Sequence, residues 1–207
     1  MAVDLLNLGL IISLVRQHRP RRILAFGHPE ILVDDDEIQW RFGLRGDTGK
    51  AHGLLSQLDA TLMVLDRRRV TGVDEAVDLG FPLPESHCLS YDMVLDSGTT
   101  EHVFNVGQLF VNIVNALHVG GIVYYCNPLA MFNHGYWNIS PVAYHDFYRA
   151  NGFEILRIDL QIRGEFIPLE RERRFKMEND GKALMVCVAR KVRDVPSITF
   201  PMQAKYQ

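Results

Sequence analysis

The sequence predicts an α/β fold, a doubly wound and mostly parallel sheet that ends in an antiparallel strand pair. Three observations carry the prediction. Short apolar runs at residues 22–27, 60–66, 91–96 and 122–126 lack helical periodicity and close on a glycine, an acid or another polar residue, as strands buried on both faces of a parallel sheet do. Between such runs lie segments with apolar residues at three- and four-residue spacing, the pattern of crossover helices. The last third holds two β-rich runs, residues 153–162 and 183–190, joined by a charged insertion and by Asn179-Asp-Gly181, a turn signal suited to antiparallel pairing.

The first element expected is a helix. Asp4 can cap it, Leu5, Leu8, Ile12 and Val15 form its stripe, Arg16, His18 and Arg19 suit its carboxyl end, and Pro20 stops it. Residues 22–27 form the first strand, turned by His28-Pro29. The acids Asp34, Asp35 and Asp36 open a second helix over residues 37–42. Residues 43–53, rich in glycine, read as a loop. Within it Gly46-Asp-Thr-Gly-Lys50 lacks both the spacing and the preceding strand of a phosphate-binding loop. Residues 60–66 form the second strand, ending in Asp66, and residues 73–78 a short edge strand ending in Asp78.

The stretch Tyr91-Asp-Met-Val-Leu-Asp-Ser-Gly-Thr-Thr-Glu-His-Val-Phe-Asn105 joins a buried strand, a polar turn and a helix start, and polar turns at strand carboxyl ends are where open α/β sheets bind ligands. Val106, Leu109, Phe110, Ile113, Val114 and Leu117 then make one helical stripe within residues 104–118, which Gly120-Gly121 should end. After the strand at 122–126, residues 127–138 read as a long loop. Ser140-Pro141 caps a helix that Asn151-Gly152 closes.

Bulk properties bound the function. A chain of 207 residues, 47% hydrophobic, supports one well-cored domain. We expect residues 1–21 as a helix packed on it, 22–192 as the α/β domain and 193–207 as a loosely held tail. A net charge of −3 supplies no global basic field, so nucleic acid is not an expected partner. Cys88, Cys126 and Cys187 form neither a disulfide framework nor a C-x-x-C thiolate site, which suits a reducing cytoplasm. The apolar run at residues 8–15 is far short of the roughly 20 residues that cross a bilayer, so no membrane span is expected.

Strand–helix alternation, the acid after the second strand, the polar turn after the fourth, the Gly-Gly pair and the terminal antiparallel pair together resemble the class I S-adenosylmethionine-dependent methyltransferases over residues 22–190. The 91–105 stretch, with Gly120-Gly121 and Asn133-His-Gly-Tyr-Trp-Asn-Ile-Ser-Pro141, resembles a branch often associated with sugar or polysaccharide biosynthesis. The resemblance implies a seven-stranded mixed sheet, S-adenosyl-L-methionine as cofactor, and methyl transfer to a hydroxyl or amine of a small sugar-linked or metabolite acceptor. A homodimer stays open.

The resemblance also implies site residues. Gly27 and His28 face the methionine part of the cofactor, Asp66 its ribose and Asp78 its adenine edge. Asp96, Ser97 and Gly98 form the floor of the transfer site, and Glu101, His102 and His134 are the catalytic candidates, a histidine being a natural proton acceptor near neutrality. One departure stands out. Gly27 is followed by His28-Pro29-Glu30 in place of further glycines, which adds bulk and negative charge where a cofactor carboxylate would approach. That departure favours an alternative, a degenerate methyltransferase-like binding or assembly subunit. A nicotinamide enzyme would need a G-x-G-x-x-G turn that is absent after Gly27.

Plainer roles compete with these. Asp66 can simply end a strand in solvent, His102 can be a helix-start residue hydrogen-bonded to Glu101 or to backbone, and His134 can order the Asn133-His-Gly turn. Phe132, Tyr136 and Trp137 suit either stacking on an acceptor or packing of their loop. The run Arg171-Glu-Arg-Arg-Phe-Lys176 suits a phosphate or, by its mixed signs, a solvated loop. No metal is expected. Glu101, His102, His134 and His145 are ligand types, but adjacent residues diverge on a helix and no close His pair exists in sequence.

Overall fold

The computed structural model describes residues 2–46, 50–131, 133–169 and 183–206. Phe132, the basic run at 171–176 and the Asn179-Asp-Gly181 turn lie outside the described residues, as do residues 47–49 of the glycine-rich loop. In chain order the elements are β1 (Ala2–Val3), α1 (Leu5–His18), β2 (Arg22–Phe26), β3 (Glu30–Ile31), α2 (Asp35–Phe42), α3 (Ala51–Ser56), β4 (Thr61–Asp66) and β5 (Glu75–Ala76). There follow β6 (Tyr91–Asp96), α4 (Val106–Ala116), β7 (Leu117–Ala130), α5 (Pro141–Ala150), β8 (Phe153–Ile162), β9 (Glu165–Pro168) and β10 (Ala183–Lys191).

Among the described residues the main sheet has eight strands, in the order β5-β4-β2-β6-β7-β10-β8-β9. Pairing is parallel from β5 to β7 and antiparallel from β7 through β10 and β8 to β9. The expected antiparallel pair is thus β8 with β10. The seven-strand count needs correction, because β9 turns back on β8 through Arg163 and Gly164, both at positive φ.

Alternation along the central strands makes the sheet two-faced, as period-two geometry requires. Ile23 and Ala25 of β2, Met93 and Leu95 of β6, and Ile122 and Tyr124 of β7 share a core with Leu8, Ile12, Ile38 and Leu54 of α1, α2 and α3. Leu24 and Phe26, Val94, Val123 and Tyr125 face the other way, against Leu109 and Ile113 of α4 and Tyr144 and Phe147 of α5. Helices therefore cover both faces.

Helix α1 starts where Asp4 accepts from the Asn7 amide at 2.8 Å. It buries Leu8, Ile11, Ile12, Leu14 and Val15. At about 1.5–3 kcal/mol for each large apolar side chain removed from water, that burial is enough to make the helix part of the domain. A buried polar chain ties it to the sheet: Tyr124 donates to Asn7 Oδ1 at 2.7 Å, and Asn7 Nδ2 donates to Gln161 Oε1 at 2.7 Å.

Three local expectations change. Residues 51–53, read as loop, open α3. Gly120-Gly121 does not end a helix before a separate strand. Helix α4 stops at Ala116 and β7 runs through both glycines for 14 residues, with a register irregularity against β6 that absorbs them. The strand also continues to Ala130, so Asn127 belongs to the sheet. Residues of the 193–206 segment bond to α5 and its cap: Asn151 donates to Thr199 O and accepts from Thr199 N, both at 2.8 Å, and Ala204 N donates to Asp146 at 2.9 Å.

Candidate active site

The carboxyl ends of β2, β4, β5, β6 and β7 open into one cleft of about 1340 Å³. Pockets for one small ligand usually span roughly 300–1,000 Å³, so this cleft has room for a cofactor and an acceptor together. Its walls come from the turns that follow those strands, as expected where open α/β sheets bind ligands.

On the β2–β4–β5 side stand Gly27, His28, Asp66 and Asp78. Gly27 has φ +74°, and its amide donates to Leu65 O at 2.7 Å. A Cβ here would lie 2.2 Å from Thr99 Oγ1, which itself donates to Phe26 O at 2.6 Å. Glycine is thus required for the turns after β2 and β6 to meet. His28 is swung toward the loop after β4, with Nδ1 3.1 Å from Gly72 O. Glu30 lies in β3, paired with β1, and lines the same cleft as Gly27 and His28. Asp66 ends β4; its Oδ1 accepts from Arg68 N at 3.1 Å, while Oδ2 points toward the Gly27 turn. Asp78 Oδ1 accepts from Gly80 N at 3.0 Å, and its other oxygen faces Arg67 at 3.9 Å.

The turn after β6 divides the predicted floor. Gly98 lines the cleft, but Asp96 and Ser97 do not. Asp96 is fully buried, and its carboxylate is consumed by the turn. Oδ1 accepts from the amides of Gly98 (2.9 Å) and Thr99 (2.7 Å), and Oδ2 from the amide and hydroxyl of Thr100. Burial pushes its carboxyl above the usual carboxylate value despite these bonds, which favour the anion. Asp96 therefore holds the turn from behind the cleft lining.

What the turn presents is Glu101, in a single 3-10 turn over Thr100–His102. Its side chain is fully buried. Oε2 accepts from Asn127 Nδ2 at 3.0 Å, and Asn127 is held in turn by Tyr144, whose hydroxyl donates to Asn127 Oδ1 at 3.1 Å. Among the described residues Oε1 has no hydrogen-bond partner. It lies 3.7 Å from His102 Nε2 and 3.6 Å from His134 Nε2. Burial, followed by the nearby Asp96 charge, pushes the Glu101 carboxyl up to about 7. Burial, followed by the His134 charge, lowers His102 below the usual imidazole value.

His134 reaches this place because its loop is clamped to the Glu101 backbone. Tyr136 N donates to Glu101 O at 2.8 Å, and a Cβ on Gly135 would meet that same oxygen at 2.8 Å. The two imidazole rings stand 5.2 Å apart. Phe104 and Tyr136, both largely exposed, pack edge to face at 5.5 Å and form an aromatic rim. Trp137 supports it through Nε1 donating to Val103 O at 3.1 Å. The remaining candidate ligand type, His145, pairs with Asp146 on α5 and is not among the cleft residues.

Of the predicted residues, the structure brings Gly27, His28, Asp66, Asp78, Gly98, Glu101, His102 and His134 to one cleft. Sequence reasoning missed Asn127, Thr99 and Gly135. Asn127 carried a signal, as a polar residue directly following the apolar strand Ile122-Val-Tyr-Tyr-Cys126.

No protein-family model matches the sequence, and no curated protein matches it significantly. Solved structures do match in fold. The chain is similar to the Burkholderia thailandensis 1,6-didemethyltoxoflavin-N1-methyltransferase, a structure with bound 1,6-didemethyltoxoflavin and S-adenosylhomocysteine (TM-score 0.57, 13% identity, 91% of this chain and 78% of that one). It is similar to a TehB-like SAM-dependent methyltransferase from Corynebacterium glutamicum (TM-score 0.54, 14% identity, 87% and 86%). It also resembles the N-methyltransferase NodS from Bradyrhizobium japonicum (TM-score 0.52, 12% identity, 91% and 94%). The fold is that of class I methyltransferases.

Proposed function

We infer that this protein is an S-adenosylmethionine-dependent methyltransferase acting on a hydroxyl or amine of a small sugar-linked or metabolite acceptor. The observation that carries this reading is the division of one strand-end cleft. Carboxylates and a close-packed glycine turn stand on one side, and a buried carboxylate with two imidazoles stands on the other. The fold likeness is consistent with it but cannot supply the chemistry, since one fold hosts many functions.

The residues present fit the cofactor. Asp66 Oδ2 is available to accept from ribose hydroxyls. Val77, Leu79 and Phe81 offer apolar surface for a base beside Asp78, and Lys50 and Arg67 bring positive charge to the cleft. His28, whose bulk favoured a non-catalytic subunit, is drawn toward Gly72. When bound, the cofactor supplies an electrophilic methyl group. The chain's own residues do the rest. Gly98 and Thr99 set the floor, Asn127 fixes Glu101, and Glu101 with His102 and His134 orients the acceptor and takes its proton. Phe104 and Tyr136 shield the acceptor from water.

Calorimetric titration with S-adenosylhomocysteine tests the cofactor half. One equivalent should bind, and Asp66→Ala should weaken it by roughly 10- to 100-fold, the loss of a charge-assisted hydrogen bond worth about 1.5–3 kcal/mol. Absence of binding at millimolar ligand would sink the reading.

A further inference from the structure

We propose that Glu101, His102 and His134 form a binding site for a divalent transition-metal ion of the zinc class, open toward the cleft. Three features of the chain lead there. The first is the ligand set, two imidazoles and one carboxylate, a combination that holds zinc or non-haem iron while leaving positions for other ligands.

The second is spacing. One ligand atom from each residue lies within 4.8 Å of the other two, with Glu101 Oε1 at 3.7 and 3.6 Å from the two Nε2 atoms. Metal–ligand bonds of about 2.0–2.2 Å place neighbouring ligand atoms of a tetrahedral ion about 3.4 Å apart, so only small movements are needed. The third feature is independent of both. Glu101 Oε1 is buried and, among the described residues, unpartnered, and it stands next to both imidazoles. A buried carboxylate oxygen without a partner is costly, and a cation at this point would satisfy it.

The surroundings are those of a supported site. Asn127 holds the second Glu101 oxygen, as outer-shell partners hold metal-bound carboxylates. The close approach at Gly135 sets His134 against Glu101. Adjacent residues diverge on a helix, yet the long Glu101 and His102 side chains bring Oε1 and Nε2 within 3.7 Å, and the third ligand comes from the loop after β7. Sequence spacing alone therefore pointed away from a metal. The ion's function rests on the methyl-transfer reading: it would bind an acceptor hydroxyl as a Lewis acid and lower its pKa, the proton then passing to solvent instead of to the three ligand side chains. Ion binding itself does not rest on that reading.

The experiment uses the full chain, stripped with chelator and titrated with cobalt(II) and zinc(II). One equivalent of cobalt should bind with visible d–d absorption, and zinc should displace it. His102→Ala and His134→Ala, whose side chains are half exposed, should each weaken binding by more than the roughly 10- to 100-fold typical of outer-shell changes. His118→Ala, which removes a histidine paired with Asp92 at the opposite edge of the sheet, should leave it unchanged. Failure of the wild-type chain to take up either ion overturns the proposal, as does undiminished uptake in both cleft variants. If S-adenosylhomocysteine does not bind but cobalt does, the methyl-transfer reading falls and the metal site stands.

Discussion

Strand β6 carries an aspartate near each end, and the two are used in opposite ways. At the amino end Asp92 is a third exposed and fully partnered. Oδ2 accepts from the amides of Arg21 and Arg22 at 2.8 and 2.7 Å, and Oδ1 from His118 at 2.7 Å. Burial alone would raise its carboxyl, but the bonds from His118 and the two amides hold it below the usual value. At the carboxyl end Asp96 is buried, raised and spent on its own turn. Just beyond it Glu101 is left with one oxygen unsatisfied. The amino edge thus stabilises the fold, while the carboxyl edge concentrates unsatisfied charge in a cleft, as functional sites tend to do.

Substitutions at the two ends should break or sharpen this contrast. The largest effect is expected from Asp96→Ala. Three amides and a hydroxyl lose their acceptor, each loss costing about 1–3 kcal/mol, so chemical denaturation should show a destabilisation above about 3 kcal/mol. A loss no greater than that of an ordinary surface substitution would contradict the role given to the turn.

Glu101→Gln should act through pH. The folded protein holds this proton up to about 7 against an ordinary value of 4.5, so it binds more protons than the unfolded chain between those values. Stability attributable to Glu101 is therefore full below about pH 4.5 and declines by about 3 kcal/mol as pH rises to about 7. Denaturation of metal-free protein across that window should show the decline in wild type and lose it in Glu101→Gln. Matching slopes in the two proteins would refute it.

How much of this was legible follows the range of the forces involved. Buried strands, caps and crossover helices are local patterns, and Asp4, the 91–96 run and Ser140-Pro141 each announced their element. Gly120-Gly121 announced a break without saying which element breaks, and the glycines fell inside a strand. The resemblance put Asp96 on the floor of the site, and what it could not report is that its oxygens accept from amides two to four residues away. Glu101 and His102 were recognisable as chemistry. Their meeting with His134 depends on a backbone contact between Gly135 and Glu101, a long-range fit that no local pattern reports.

That fit gives a smaller expected effect. Gly135→Ala places a Cβ against Glu101 O, and overpacking of this kind costs about 1–3 kcal/mol. It should displace His134 and weaken cobalt uptake while leaving S-adenosylhomocysteine affinity intact; equal loss of both ligands would blur the division of the cleft.

The smallest change belongs to the amino edge. His118 is raised by its bond to Val119 O and then by Asp92. Its contribution is therefore present below the ordinary imidazole value and fades as pH rises through the raised one. His118→Gln should cost under about 1 kcal/mol, as exposed pairs do, and more at pH 6 than at pH 9. The reverse pH trend in melting temperature would contradict this.

The division of the cleft is tested most directly by a crystal structure of the protein with S-adenosylhomocysteine. The ribose hydroxyls should lie on Asp66, the base beside Asp78, and the sulfur should turn across Gly98 toward Glu101, His102 and His134. A ligand bound elsewhere, or one whose sulfur faces away from these three residues, would contradict it.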